Sequence, residues 1–180
     1  AYSRAFEAGA TGIMVPHCMS GEEARQIVRA SRFSPLGMRG LDGVEPSADY
    51  GLTPMAEYMT HANQETCIVV QIEDAEAVED IDAIAATEGI DVLFIGPADL
   101  SQSLGIPLQL DHPLLRTATE RVAAAAERHG KWWGIPVGNA DQGAAYVDMG
   151  ARFLSSGSAI SLLRKAYSQL RADFDDLLRR

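Results

Sequence analysis

The sequence is short of positive charge and of cysteine, and it has no long apolar run. Its 15 lysines and arginines stand against 25 acids, a formal net charge of -10 over 180 residues. The basic residues form no cluster, so there is no phosphate-backbone footprint and no nucleic-acid partner is expected. Only two cysteines occur, Cys18 and Cys67, in no metal or redox spacing, and each reads as a small buried hydrophobe. No stretch approaches the roughly 20 apolar residues of a membrane span, and the opening AYSRAFEAGA lacks the pattern of a signal peptide. A soluble cytoplasmic protein with no membrane partner is the expectation. Missing too is a G-x-G-x-x-G after the first apolar run, which removes the usual dinucleotide fingerprint.

What is there is an alternation of short apolar runs and amphipathic stretches. ATGIMVP (10–16) reads as a strand. SGEEARQIVRASRF follows as a helix, with Ser20 three residues before Glu23 as a capping box. Cys67 to Ile72 reads as the next strand and EAVEDIDAIAATEG as its helix, ending near Gly89. DVLFIG (91–96) is a third strand. The next helix has Asp111 or His112 at its cap, Pro113 at its first position and Gly130 just past its end. KWWGIPV is a weaker strand, ADQGAAYVDMG a short helix, ARFLSSG the last strand, and SAISLLRKAYSQLRADFDDLL a long closing helix.

The runs at 67–72 and 91–96 are almost continuously apolar, as strands covered on both faces are. Five βα units result, parallel and right-handed in their crossovers. Residues 34–65 form a longer connection, with a short helix expected over 54–63; such a length marks a functional loop or an interface element. Residues 1–180 read as one domain, and two folds fit: a doubly wound open sheet, or the later part of a (β/α)8 barrel of about 250 residues. Periodicity does not choose between them.

In both folds the C-terminal strand ends carry the chemistry, and two carboxylates fall there. IVVQIED delivers Glu73 and VLFIGPADLS delivers Asp99. Neighbouring strand ends lie about 5 Å apart, so the two acids are placed to meet. Like charges held together need a shared proton or a cation. A hard divalent ion completed by water and substrate oxygens suits a pair that offers few protein ligands. The competing reading makes both residues first-turn acids that meet unpaired helix N–H groups.

QIED and FIGPADLSQSLG, with GATGIMVP and GMRG upstream, resemble the HpcH/HpaI aldolase family over almost the whole chain. The resemblance implies a TIM-type (β/α)8 barrel, of which this chain carries about the last five βα units. It also implies a class II, metal-dependent lyase that cleaves or forms 4-hydroxy-2-oxo acids, giving pyruvate and an aldehyde through a metal-stabilised enolate. By the same resemblance Glu73 and Asp99 are the metal ligands, for Mg²⁺ or Mn²⁺ above all, with Co²⁺ or Zn²⁺ as alternatives. Gln71 is a catalytic residue that orients a ligand or a metal-bound water. Gly96, Pro97 and Ala98 hold the carboxylate end of a pyruvate-type 2-oxo acid, and Pro136 lines the pocket wall. A homo-oligomer, a hexamer built as a trimer of dimers with the last helix exchanged between subunits, is implied as well. Two other readings stand beside it: an acyl-CoA lyase of the citrate-lyase or malyl-CoA-lyase kind, and a non-catalytic 2-oxo-acid-binding protein.

The family's catalytic histidine and pyruvate-steadying arginine belong to strands ahead of ATGIMVP, so neither maps to a position here. His17 reads as a loop or interface histidine. Arg39 of GMRG is expected near the active-site rim or in a salt-bridged loop anchor. Trp132 and Trp133 should face opposite sides of their strand, one into the barrel core and one into the helix layer. Glu76, Glu79, Asp80, Asp82 and Glu88 read as solvated helix-surface acids.

Overall fold

Five short apolar runs form β1 (Gly12–Val15), β2 (Cys67–Ile72), β3 (Val92–Ile95), β4 (Trp132–Pro136) and β5 (Phe153–Ser155) in a computed structural model that describes residues 2–179. They make one parallel sheet in the order β1-β2-β3-β4-β5. Between them lie α1 (Ser3–Glu7), α2 (Gly21–Ser31), a 3-10 turn (Pro46–Gly51), α3 (Met55–Glu65), α4 (Ala75–Glu79), α5 (Ile81–Ala85), α6 (Pro97–Ser103), α7 (Pro113–Arg128) and α8 (Ala140–Asp148), followed by α9 (Ala159–Leu178).

Strand order decides between the two candidate folds. A doubly wound sheet reverses its strand order at a switch point, whereas this one runs in chain order throughout. The sheet curls as an open half-barrel with its main core on the convex, helix-covered side. There Ile68, Val70, Ile72, Leu93, Ile95, Trp133 and Ile135 pack with Ile27, Ile84, Val122 and Ala126. Alternate residues turn to the concave side, where Val69, Val92 and Phe94 form a small cluster. This is the TIM-type barrel architecture in part.

The two tryptophans split as strand alternation requires. Trp133 is buried, edge-on to Tyr146. Trp132 lies on the concave side but is 64% exposed and not part of a core, because the apolar cluster there ends at Val69, Val92 and Phe94.

Two local expectations change. The single helix expected after β2 is broken at Asp80 into α4 and α5. Asp80 is not merely solvated, since its carboxylate accepts the Gly21 N–H at 2.8 Å. That bond ties the start of α2 to the break, where a Cβ at Gly21 would lie 2.7 Å from that of Ala83. Ser20 caps α2 as expected, accepting from Glu23 N at 3.2 Å. Glu23 reaches back to Met19 N at 2.8 Å rather than to Ser20. His112, not Asp111, caps α7 through Nδ1.

Arg39 does not lie at the active-site rim and, among the described residues, it is in no ion pair. It is buried beside α1 and α3 among Phe6, Phe33 and Tyr58, near the residues that lead into the N-terminal end of β1. The segment carrying it folds back on the end of α2, where Arg39 N donates to Arg32 O at 2.9 Å, and this keeps Arg39 away from the opposite rim.

Candidate active site

The C-terminal ends of β1, β2 and β3 converge on one carboxylate. The register pairs Ile72 with Ile95, so Glu73 and Gly96 follow side by side as the strands end. Glu73 is only 3% exposed. Its Oε1 accepts the backbone N–H of His17 at 2.9 Å, and its Oε2 accepts from Gln71 Nε2 at 2.9 Å. Gly96 is required for this closeness, because a Cβ there would sit 2.5 Å from Glu73 Oε2.

A buried carboxylate normally has a cationic partner. Glu73 has neutral donors and, among the described residues, no lysine or arginine in ion-pair contact; the His17 imidazole stands 3.6 Å away. Asp99, exposed in the first turn of α6, adds a second negative charge, felt at His17. No group of three or more His, Cys, Asp or Glu side chains that could hold a metal occurs among the described residues. Glu73 and Asp99 are both hard oxygen donors, of the kind that suits an ion keeping several waters rather than one needing an all-protein cage.

Sequence reasoning missed what His17 does. It sits at φ 52, the left-handed region that non-glycine residues enter at a cost of roughly 1–2 kcal/mol. That turn aims its N–H at Glu73, while Nδ1 meets Asp74 Oδ2 at 3.0 Å. The hydrogen bond donated to Asp74 and then the charge of Glu73 raise the imidazole pKa above its usual value. The position after Pro16 at a strand end was the one available signal. The key atom is a backbone nitrogen, which carries no residue-type signature.

The remaining candidates divide. Gln71 touches Glu73 directly. Gly96, Pro97 and Ala98 lead from β3 into α6, with Ser101 Oγ donating to Ala98 O at 2.6 Å. Pro136 ends β4 and shares with Pro97 a cavity of about 670 Å³ between α7 and α8. Neither Glu73 nor Asp99 lines that cavity.

A curled parallel sheet with acids at its C-terminal rim is the arrangement in which barrel enzymes carry their sites. Comparison with known proteins narrows the class: the chain belongs to the HpcH/HpaI aldolase/citrate lyase family, which matches residues 2–166. It is 34% identical over 171 residues to the 5-keto-4-deoxy-D-glucarate aldolase of Klebsiella pneumoniae, covering 95% of this chain and 66% of the relative. It is 34% identical over 169 residues to the 4-hydroxy-2-oxo-heptane-1,7-dioate aldolase of Escherichia coli, covering 94% and 64%. The crystal structure of an HpcH/HpaI aldolase from Desulfitobacterium hafniense superposes with a TM-score of 0.90 at 34% identity, covering 96% and 67%. The chain thus spans slightly less than two thirds of the curated relatives' length.

Proposed function

We propose that this chain carries the metal-binding half of a divalent-cation-dependent aldolase, a carbon–carbon lyase acting on 4-hydroxy-2-oxo acids to give pyruvate and an aldehyde. The observation that supports it most is Glu73, a buried anion held by two neutral donors at the strand ends, in a chain of this family. Residues 1–180 are read as one aldolase-like domain.

Glu73 and Asp99 would hold the ion, Mg²⁺ or Mn²⁺ by preference, because both donors are hard oxygens. When bound, such an ion supplies positive charge where the keto oxygen of the substrate gains negative charge. Gln71 and the His17 N–H fix one carboxylate oxygen of Glu73 each and so set its orientation. At the start of α6, Pro97 has no N–H, so the Ala98 amide is left to face the substrate carboxylate beside the close approach that Gly96 permits. Pro136 limits the pocket wall at the end of β4.

Small 2-oxo acids and aldehydes are the expected ligands, and further copies of this chain the expected partners. On α9, Ile160, Leu163, Tyr167, Leu170 and Phe174 are exposed. An apolar face of that extent favours a homo-oligomer, with a trimer of dimers as the assembly. A cytoplasmic setting suits two cysteines present as free thiols.

The test is pyruvate release from a 4-hydroxy-2-oxo acid with Mn²⁺ and with excess chelator, alongside oxaloacetate decarboxylation, which needs no hydroxyl proton removed. Metal-dependent turnover of either substrate that Asp99→Asn abolishes supports the assignment. Turnover indifferent to chelator and to that variant would sink it.

A further inference from the structure

At the opposite end of the sheet, Arg39 is only 6% exposed, yet none of the ion pairs among the described residues includes it. A guanidinium has five N–H donors. One bond is made here, from Nη2 to the Tyr58 hydroxyl at 2.7 Å, and that hydroxyl is 2.7 Å from Ser47 Oγ. Nε is buried without an acceptor. Leaving a buried cation so poorly partnered is costly. Aromatic stacking explains only part of it. Phe33 lies 4.5 Å from the guanidinium carbon, Phe6 5.5 Å and Tyr58 5.7 Å, measured to ring centroids. Rings stabilise a cation through its faces and leave the in-plane donors free.

Beside Arg39 is a cavity of about 230 Å³, lined among others by Ser47, Tyr58, His61, Thr66 and, as an exposed acid, Glu65. Its size suits a tetrahedral oxyanion or a short carboxylate rather than a drug-sized ligand. Gly9, Ala10 and Thr11 also border it, which places it by the N-terminal end of β1, away from Glu73.

We propose that Arg39 and the Ser47 hydroxyl, whose O–H is free when Tyr58 donates to it, bind a small oxyanion, a phosphate or a short carboxylate, edge-on in this cavity, at a site separate from the strand-end carboxylates. The aromatic rings hold the guanidinium plane fixed, and the unused donors meet the anion in that plane as charge-assisted hydrogen bonds. Occupancy ties α1, the 3-10 turn and α3 together.

Inorganic phosphate and malonate are titrated separately into the intact protein by calorimetry, with chelator present and ionic strength held constant. Saturable binding of at least one is expected, with a Kd below about 10 mM, and which one binds identifies the source of the anion. Arg39→Gln should weaken binding at least tenfold and Ser47→Ala about threefold, consistent with loss of a charged and a neutral hydrogen bond, while Glu73→Gln leaves it unchanged. Because Arg39→Gln also removes the aromatic stack and risks misfolding, Ser47→Ala, which keeps the stack, decides if that variant does not fold. The proposal is overturned if neither anion binds at about 50 mM, a free energy too small for a built site. It is equally overturned if Ser47→Ala and any folded Arg39→Gln bind as wild type does.

Discussion

Arg32 and Glu73 are both buried charges at the ends of the same parallel sheet, and the chain surrounds them differently. Arg32, beneath the N-terminal ends, donates through Nη1 to Thr66 O at 2.8 Å and Thr66 Oγ1 at 2.6 Å, and through Nη2 to Asp91 Oδ2 at 2.7 Å. The same Asp91 oxygen accepts the Ile68 N–H at 2.7 Å, so the network ties α2 and the end of α3 to the entries of β2 and β3. Glu73, at the C-terminal ends, has two neutral donors and no arginine or lysine among the described residues. The Arg32 network closes its part of the N-terminal end with its charge matched inside the chain. Glu73 keeps unmatched charge, as a site awaiting a ligand does, at the strand ends where barrels carry their chemistry.

The sharpest way to break this contrast is at the closed end. Arg32→Met should destabilise the fold by about 3 kcal/mol, because the charged hydrogen bonds that join α2 to Thr66 and Asp91 are lost and Thr66 O is left without that donor. Urea unfolding measures it, and Mn²⁺ affinity of the folded fraction should stay within about twofold, less than 0.5 kcal/mol. Loss of metal binding without loss of stability would show that the two ends are not separate in function.

Glu73→Gln should do the reverse. Metal affinity should fall about a hundredfold, roughly 2.7 kcal/mol, since a neutral amide replaces an anionic ligand. In chelator the variant should be as stable as wild type or more so, because a poorly compensated buried anion is gone. A large stability loss in chelator would mean that Glu73 serves the fold as Arg32 does. Gly96→Ala tests the same carboxylate indirectly. Its new Cβ would stand 2.5 Å from Glu73 Oε2 and 2.9 Å from Glu73 Cβ, so the side chain must swing off its two donors. A loss of about tenfold in Mn²⁺ affinity is expected, the scale of a disturbed supporting contact around a metal, and unchanged calorimetric affinity would remove Gly96 from the site.

The two ends were unequally legible in the sequence. Glu73 and Asp99 stand out because an apolar strand run ending in a carboxylate is unusual, and the order of strands and helices follows from where apolar runs stop. Strand adjacency did not follow from hydrophobic runs, which carry no record of which neighbour they pair with; the family motifs implied the barrel, and the observed strand order bears it out. The break at Asp80 was hidden because Glu79–Asp80–Ile81 contains no glycine or proline. Its cause is a tertiary bond to Gly21. Arg39 was misplaced because residues 34–54 lack periodicity, leaving nothing local to say which end of the sheet the loop visits. The amide of His17 was invisible for the reason given above.

The smallest expected effect contrasts the two free thiols, one near each end. Cys18 follows His17 at the C-terminal end and is buried. Burial, and then the charge of Glu23, pushes its thiol from 9.0 up to about 12. Cys67 opens β2 at the other end, half-buried, and burial raises its thiol as well. A thiolate is the reactive form, so a soluble alkylating reagent at pH 8 should modify Cys67 first and Cys18 only on unfolding, as peptide mass mapping would show. The linkage follows with a definite sign. Below pH 9 the Cys18 thiol is protonated in both states and its contribution to stability is intact. Above pH 9 the unfolded chain releases the proton while the folded chain holds it until about 12, so stability falls as pH rises through that window. At pH 10 the loss is about 1 kcal/mol. Cys18→Ala should abolish this part of the alkaline decline in urea midpoints between pH 8 and 10, whatever it costs at neutral pH. An identical pH slope in the variant would show that the thiol at the open end is not held neutral by its surroundings.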